Sequence, residues 1–292
     1  MTKPHPGTLL RSAMASGVVA APGAFNALAA RAVARAGFNA CYVSGAATSV
    51  SAGVPDVGLL SLEAFCRTIR DVADGSGLPV IADADTGFGE EEMVRRTVID
   101  YHRAGAAGLH LEDQVFPKRC GHLDGKTLVG VEHCASKIAW AAEAARACSG
   151  GAFIVIARTD AAGVEGFDAA VARAKVYRQA GADMIFPEGL HSEDEFARFA
   201  EALRPTGALL LANMTEFGKS PLIPLARLGA LGYDLVIYPV TLLRIAMKAV
   251  ADALGVLRDS GSAEGLLERM QTRAELYDLI GYTPGEPWEF RA

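Results

Sequence analysis

The chain has 292 residues, 51% of them hydrophobic and 21% charged, an ordinary globular composition rather than a disordered or fibrous one. Its 28 basic and 34 acidic residues leave a net charge of −6 with no extended basic run, which argues against nucleic acid as a partner. No apolar run approaches the ~18 residues of a membrane span, and the opening MTKPHPGTLLRSAMASG lacks a hydrophobic signal core, so a cytoplasmic protein without a membrane partner is expected.

Short apolar runs recur along the chain, most closing on a polar residue: GVVAAPG from Gly17, ACYVSG to Gly45, LPVIADAD to Asp85 and GLHLED to Asp113. FIVIARTD to Asp160, DMIFPE to Glu188, ALLLAN to Asn213 and DLVIYP to Pro239 follow. Rich in Val, Ile, Leu, Phe and Ala without strict alternation, they read as parallel strands buried on both faces. Between them the spacing predicts helices over Ala24–Arg35, Leu62–Ala73, Glu90–Ala104, Val131–Ala147, Phe167–Ala180, Glu193–Leu203 and Thr241–Leu257. Gly37, Gly105, Gly181 and Gly232 stand where a helix must end before the next strand. Eight such units predict an α/β fold of the (β/α)8 barrel type. An open doubly wound sheet is disfavoured because no GxGxxG follows the first strand.

The stretch Ser262 to Ile280 predicts one further amphipathic helix, suited to packing on a second subunit, and the last dozen residues (GYTPGEPWEFRA) read as irregular. With no linker or composition shift, residues 1–292 are expected to form one domain, with a C-terminal helical extension from about residue 258. The five cysteines show no CxxC pairing, so structural disulfides are not expected. Cys41, Cys66, Cys134 and Cys148 fall within predicted strands or helices and read as small buried hydrophobes. Cys120 is different: Lys118 and Arg119 precede it, and Gly121 and His122 follow. Nearby cations favour the thiolate, so a lowered thiol pKa is expected. The loop alone suits equally a thiol that exchanges a proton with a substrate and a solvated basic loop that happens to hold a cysteine.

In a parallel barrel, catalytic groups gather at the C-terminal strand ends. Here those ends carry Tyr42, Ser44 and Gly45, Asp83 and Asp85, Glu112 and Asp113, Arg158 and Asp160, Glu188, Asn213 and Thr215, and Tyr238. Asp83 and Asp85 stand two apart, which puts them on one side of a strand, with Glu112 ending the next strand beside them. Converging carboxylates repel unless a cation is present, and an all-oxygen set suits Mg2+, with Mn2+ as an alternative; Asp56 in GVPDVG is placed to join through a water. Arg158 offers a fork for a substrate carboxylate. Asn213 and Thr215 are neutral groups for another, and the backbone of Ser44, Gly45 and Ala46 offers N–H donors.

The segments DADTGFG (83–89), LEDQ…PKRCGH (111–122), ARTDA (157–161), FPE (186–188) and NMTEFG (213–218) resemble the isocitrate lyase/phosphoenolpyruvate mutase superfamily. The KRCGH loop, NMTEF and QTRAELYDLIGY (271–282) are similar to the methylisocitrate lyase branch. The resemblance implies a barrel whose eighth helix is exchanged between subunits, usually in homotetramers. It implies Asp83 as direct Mg2+ ligand, with Asp85, Glu112 and Asp56 holding its waters. It also implies Cys120 as general acid and Tyr42 as a candidate acceptor of the substrate hydroxyl proton. Lys118, Arg119 and His122 would belong to the catalytic gating loop. Ser44, Gly45, Ala46, Arg158, Glu188, Asn213 and Thr215 would form the substrate pocket. The segment after KRCGH, Leu123-Asp124-Gly125-Lys126, looks closer to dimethylmalate lyase and oxaloacetate hydrolase relatives, which leaves the substrate open.

The reaction so implied is a retro-aldol C–C cleavage of a small 2-hydroxy di- or tricarboxylate, as in conversion of 2-methylisocitrate to pyruvate and succinate during propionate breakdown. Cleavage of 2,3-dimethylmalate, hydrolysis or decarboxylation of oxaloacetate, carbon–phosphorus mutase chemistry and a catalytically silent metabolite-binding barrel are the rivals.

Overall fold

The computed structural model describes residues 3–288; the last four residues of the segment expected to be irregular lie outside the described residues. Eight strands form one parallel sheet: β1 Val19–Pro22, β2 Cys41–Val43, β3 Val80–Asp83, β4 Gly108–Glu112, β5 Ile154–Thr159, β6 Met184–Pro187, β7 Leu209–Asn213 and β8 Leu235–Tyr238. Each pairs with its sequence neighbour and β1 with β8, while a parallel bridge between Gly23 and Tyr42 brings β1 and β2 together. The fold is the expected (β/α)8 barrel, with every strand core where the apolar runs placed it.

Burial on both faces follows from two apolar layers with opposite parity. Val80 and Ala82, Leu109 and Leu111, Val155 and Ala157, and Leu210 and Ala212 face the helices. Ile81, Ile154 and Ile156, Met184 and Phe186, and Leu211 and Ile237 fill the barrel interior. A strand alternates its side chains with period two. The inward parity therefore runs on into polar residues at the strand ends: Tyr42, Asp83, His110 and Glu112, Arg158, Glu188 and Asn213. Tyr238 has the outward parity and packs against the helix-facing core, so this strand-end tyrosine lies away from the barrel mouth.

The helices α2 (Ala27–Arg35), α4 (Leu62–Ser76), α5 (Glu91–Arg103), α6 (Val131–Ser149), α7 (Phe167–Gln179) and α8 (Glu193–Leu203) wrap the sheet close to their predicted bounds. Asn26, Ser61 and Ser192 cap α2, α4 and α8 by accepting backbone N–H groups. Gly37, Gly105, Gly181 and Gly232 all take positive φ after their helices, as the junction argument requires. Three helices were not predicted. The first, α1 (Pro6–Ala15), plugs the N-terminal end of the barrel with Leu10 and Met14. The others are α3 (Gly45–Ser51), which follows β2, and α9 (Leu225–Leu231). The last two, of seven residues each, have too few turns for an apolar period to stand out. Cys41, Cys66 and Cys134 are buried as expected, while Cys148 is half-buried.

The C-terminal segment departs from expectation. After α10 (Thr241–Ser260), the residues expected to form one helix make a 3-10 turn at Glu264–Arg269 and a separate α11 at Arg273–Ile280. Met270 is extended, and Thr272 with Glu275 forms a reciprocal capping box that starts α11 afresh. Arg31 donates to the Ile280 carbonyl at 3.2 Å and Arg35 pairs with Asp278, tying α11 to α2. By contrast α10 buries only Leu243, and its Ile245 and Leu254 are 69% and 60% exposed. Among the described residues no helix is long and apolar enough to cross a membrane.

Candidate active site

A cavity of about 230 Å3 opens at the C-terminal mouth of the barrel. Tyr42, Ser44, Ala46, Asp56, Asp83, Cys120, His122, Arg158, Glu188, Asn213 and Thr215 all line it. Gly45, Asp85, Glu112 and Lys118 pack directly behind this wall. Gly45 N–H donates to Asp83 Oδ2 at 3.1 Å, and a Cβ there would stand 2.6 Å from the same oxygen, so only glycine lets the backbone approach the carboxylate. Asp85 does not share a strand face with Asp83 as expected. The strand ends at Asp83, and Asp85 sits at φ 45°, turning back so that its amide donates to Asp83 Oδ1 at 2.9 Å.

Strand register sets the charged pairs. Asp83 lies opposite His110, and Glu112 opposite Arg158. The His110 ring lies 3.6 Å from Asp83 and joins Tyr42 Oη through a 2.7 Å hydrogen bond. Arg158 stands 3.3 Å from Glu112 and 3.5 Å from Glu188, and its Nε and Nη2 donate to Asp160 at 2.9 and 3.1 Å. Arg158 is therefore locked in place by acids on three sides, with a cation–π contact to Phe186 beneath it.

The floor is short of positive charge. Asp56, Asp83, Asp85 and Glu112 share one ammonium, that of Lys118, which pairs with Asp56 and reaches Asp85 Oδ1 at 2.8 Å without hydrogen-bond geometry. For Asp83, His110, Lys118 and Arg158 outweigh burial and hold the carboxyl below its usual range. Burial and the Asp83 charge push Asp85 up to about 6. Burial raises Glu112 well above its ordinary value despite Arg158, and among the described residues neither of its oxygens has a hydrogen-bond partner. Raised carboxyls and unpartnered buried oxygens fit a divalent cation with its water shell. No group of three carboxylate, imidazole or thiol side chains closes on one point among the described residues.

Cys120 stands across the cavity on the loop after β4. The expectation of a lowered thiol pKa is corrected. Burial dominates and raises it, with Asp56 and Glu188 adding to the rise, while the His122 backbone and Arg158 only partly oppose it. Arg119, counted with the catalytic loop, is exposed, and its guanidinium reaches the Asp124 carbonyl instead of the cavity. The two-cation argument fails because adjacent residues in an extended loop point apart. Lys118 turns inward to the carboxylates and Arg119 outward. The His122 backbone lies beside the thiol, while its ring accepts the Lys219 amide at Nδ1 at 3.0 Å and faces Glu188 with Nε2 at 3.2 Å.

Four groups escaped the sequence reading. His110 is inward by the same parity as Glu112, a signal that was available. Lys126, Glu216 and Arg244 carried no local signal. The Lys126 ammonium is buried and bonds Asp160 at 2.8 Å and the Gly121 carbonyl. Arg244, on the first turn of α10, lines the cavity mouth with Glu216 at 2.9 Å and lies over the ring of Phe217, itself 96% exposed at φ 59°.

Comparison with known proteins adds to this geometry. The family model described as phosphoenolpyruvate phosphomutase matches residues 10–257. A probable 2-methylisocitrate lyase of Corynebacterium glutamicum is 52% identical over 261 residues, 89% of this chain and 84% of that protein. A 2,3-dimethylmalate lyase of Eubacterium barkeri is 41% identical over 265 residues, 90% of each. Among solved structures, a 2,3-dimethylmalate lyase described as a PEP mutase/isocitrate lyase superfamily member superposes with a TM-score of 0.89. It is 37% identical, covering 96% of this chain and 93% of that one. A phosphonopyruvate hydrolase complexed with oxalate and Mg2+ superposes with a TM-score of 0.84 at 32% identity, covering 95% of each.

Proposed function

Since the chain belongs to the phosphoenolpyruvate mutase/isocitrate lyase superfamily and to its carbon–carbon lyases, we propose that it cleaves a 2-hydroxy tricarboxylate of the 2-methylisocitrate type to pyruvate and succinate, with Mg2+ as cofactor. The observation that carries this reading is a half-buried thiol, its pKa raised by burial, held across a cavity from a locked arginine and a floor of under-compensated carboxylates. A mutase that moves phosphorus between carbon and oxygen adds no proton to carbon and has no need of a carbon acid at that point.

Asp83, with Asp85, Glu112 and Asp56 behind it, would hold the cation and its waters. When bound, Mg2+ would ease loss of the substrate's 2-hydroxyl proton and neutralise the neighbouring carboxylate. Tyr42 and His110 form the hydroxyl-binding pair. Burial, and Asp83 beside it, push Tyr42 well above the tyrosine range, so it holds the oxygen as a neutral phenol and takes the 2-hydroxyl proton only as its own proton passes to His110 Nε2, 2.7 Å away. As the 2-hydroxyl proton leaves, the C2–O bond becomes a carbonyl and the C2–C3 bond breaks. Its electron pair moves to C3 and spreads into the carboxylate attached there. Arg158, Asn213 and Thr215 face that developing charge. Cys120 then transfers its S–H proton to C3, completing the dicarboxylate product, and regains a proton from solvent. A general acid in this role contributes about 10²–10⁴-fold.

Arg244 at the mouth supplies a further cation, which supports a third substrate carboxylate, and identity is higher to the methylisocitrate lyase than to the dimethylmalate lyase. A second reading, 2,3-dimethylmalate, is favoured by Leu123, an apolar residue on the cavity wall. Exposed Ile245, Met247, Val250 and Leu254 on α10 suggest exchange of this helix with a neighbour in a homo-oligomer, as does a groove lined by Ala20, Val33, Phe38 and Leu242. A tetramer in the cytoplasm, serving propionate breakdown, is the assembly and setting that go with this reading.

The test is α-keto acid release with Mg2+ from 2-methylisocitrate, isocitrate, 2,3-dimethylmalate and oxaloacetate in parallel. Pyruvate from methylisocitrate, abolished by EDTA and restored by Mg2+, is the expected result. Pyruvate from dimethylmalate alone would transfer the mechanism to the second substrate. Silence on every hydroxy acid would refute the lyase reading.

A further inference from the structure

Lys126 stands six residues beyond Cys120, where the loop returns towards α6. Its side chain is only 2% exposed. The ammonium makes two contacts of opposite kind. One is the Gly121 carbonyl, on the peptide next to the thiol residue. The other is Asp160 Oδ1 at 2.8 Å. Asp160 is in turn the main partner of Arg158, taking Nε and Nη2, and its amide donates to Asp113 Oδ1 at 2.9 Å. Arg158 and Lys126 together overcome burial and hold Asp160 at about 2.

The seat of the loop is tight. A Cβ at Gly121 would stand 2.3 Å from Arg158 Nη2 and 2.6 Å from Glu188 Cγ. The loop therefore presses its backbone directly onto the arginine clamp. The base of the loop is anchored separately, by Val115 N–H to the Thr127 carbonyl at 2.8 Å and by the Gln114 side chain on both backbone groups of Arg119 at 2.9 Å. Lys118, paired with Asp56 and Asp85, ties the loop inward before the thiol, and His122 and Lys126 tie it inward after. His122 shares its bonds with the substrate wall, whereas Lys126 does not line the cavity.

We propose that Lys126 is a positioning residue that latches the thiol loop closed by joining the Gly121 carbonyl to the Asp160–Arg158 pair. The latch holds Cys120 over the cavity and gives Asp160 a second cation besides Arg158. It rests on the reading of Cys120 as the carbon acid, but its first test does not require turnover.

That test is the rate of iodoacetamide alkylation of each cysteine in the full-length protein, resolved by peptide mass spectrometry. Lys126→Met should speed alkylation at Cys120 about tenfold or more, the factor expected for opening once a charge-assisted hydrogen bond is lost. The rates at buried Cys134 and half-buried Cys148 should stay at the parent values, and Lys126→Arg should restore slow labelling of Cys120. An unchanged Cys120 rate in Lys126→Met would overturn the latch. Equal acceleration at Cys134 would also overturn it, since Lys126 would then be holding the fold and not the loop. In the turnover arm, Lys126→Met should lower kcat about tenfold or more by the same free energy, with recovery in Lys126→Arg. An enzyme silent on every hydroxy acid but showing the labelling pattern would separate failure of the lyase reading from failure of the latch.

Discussion

Substituting alanine for Gly121 tests the site with one methyl group. Gly121 has ordinary backbone angles, so alanine costs nothing in conformation; the cost is purely one of contact. The added carbon would meet Arg158 Nη2 at 2.3 Å, Glu188 Cγ at 2.6 Å and Glu188 Cδ at 2.9 Å. Such contacts are relieved cheaply only when a side chain is free to swing. Arg158 is fixed by Asp160, Glu112 and Glu188, and Glu188 by the Gly189 amide at 3.0 Å and His122 at 3.2 Å. The loop must therefore lift, carrying Cys120 with it. Overpacking of this kind costs about 1–3 kcal/mol. If that cost falls on the closed state, the rate should drop roughly 5- to 150-fold, at about 1.36 kcal/mol per factor of ten. The measurement is kcat and KM for pyruvate release, with a thermal melt alongside. Lost turnover with a nearly unchanged melt is expected, because the loop lies outside the barrel core. Full activity in Gly121→Ala would refute the claim that the loop must seat on Arg158 for catalysis.

Cys120→Ser should reduce turnover by at least roughly 10²-fold while the melting temperature holds, checked by the same assay. The active form of this group is the protonated thiol, so activity is lost as pH rises through its pKa. Burial raises that pKa, so the alkaline limb should lie above about pH 8.5, and a thiol-dependent loss below pH 7 would contradict the acid role. Arg158→Met leaves Glu112, Glu188 and Asp160 without their shared cation and should destabilise the fold by about 3–5 kcal/mol in urea titrations, since breaking a buried pair strands charge. Replacing Ile245 and Leu254 of α10 together by Asp should lower the assembly's mass in sedimentation; an unchanged mass would show that this face is not an interface.

The apolar runs and junction glycines made the barrel legible because each is a local consequence of chain geometry. A strand buried on both faces must be apolar, and a helix that ends before a strand favours glycine at the turn. Parity did the same for the site. Tyr42, Asp83, Glu112, Arg158, Glu188 and Asn213 share the inward phase of their strands, and reading His110 by that phase would have found it too. The phase also separates Tyr238, which ends a strand yet faces the helices. What failed were inferences about the loop, where no period constrains the side chains. Lys118 and Arg119 are neighbours in sequence and point opposite ways, and the thiol between His122 and the cavity responds to burial more than to charge. Likewise the single helix expected from Ser262 was cut by the Thr272–Glu275 capping box, a signal present in the residues but outweighed by amphipathic spacing.

The sequence by itself therefore determined the barrel and the polar strand ends, because these depend on residue type and short-range period, while its motifs carried the resemblance to the lyase family. Only the tertiary structure decided that Lys118 pairs with both Asp56 and Asp85, that burial raises the Cys120 thiol and that Lys126 reaches Asp160. Those outcomes depend on which groups meet across 34 or 62 residues of chain and on how much water is left between them. Desolvation and Coulomb interaction are properties of that assembled space, and no local pattern encodes them.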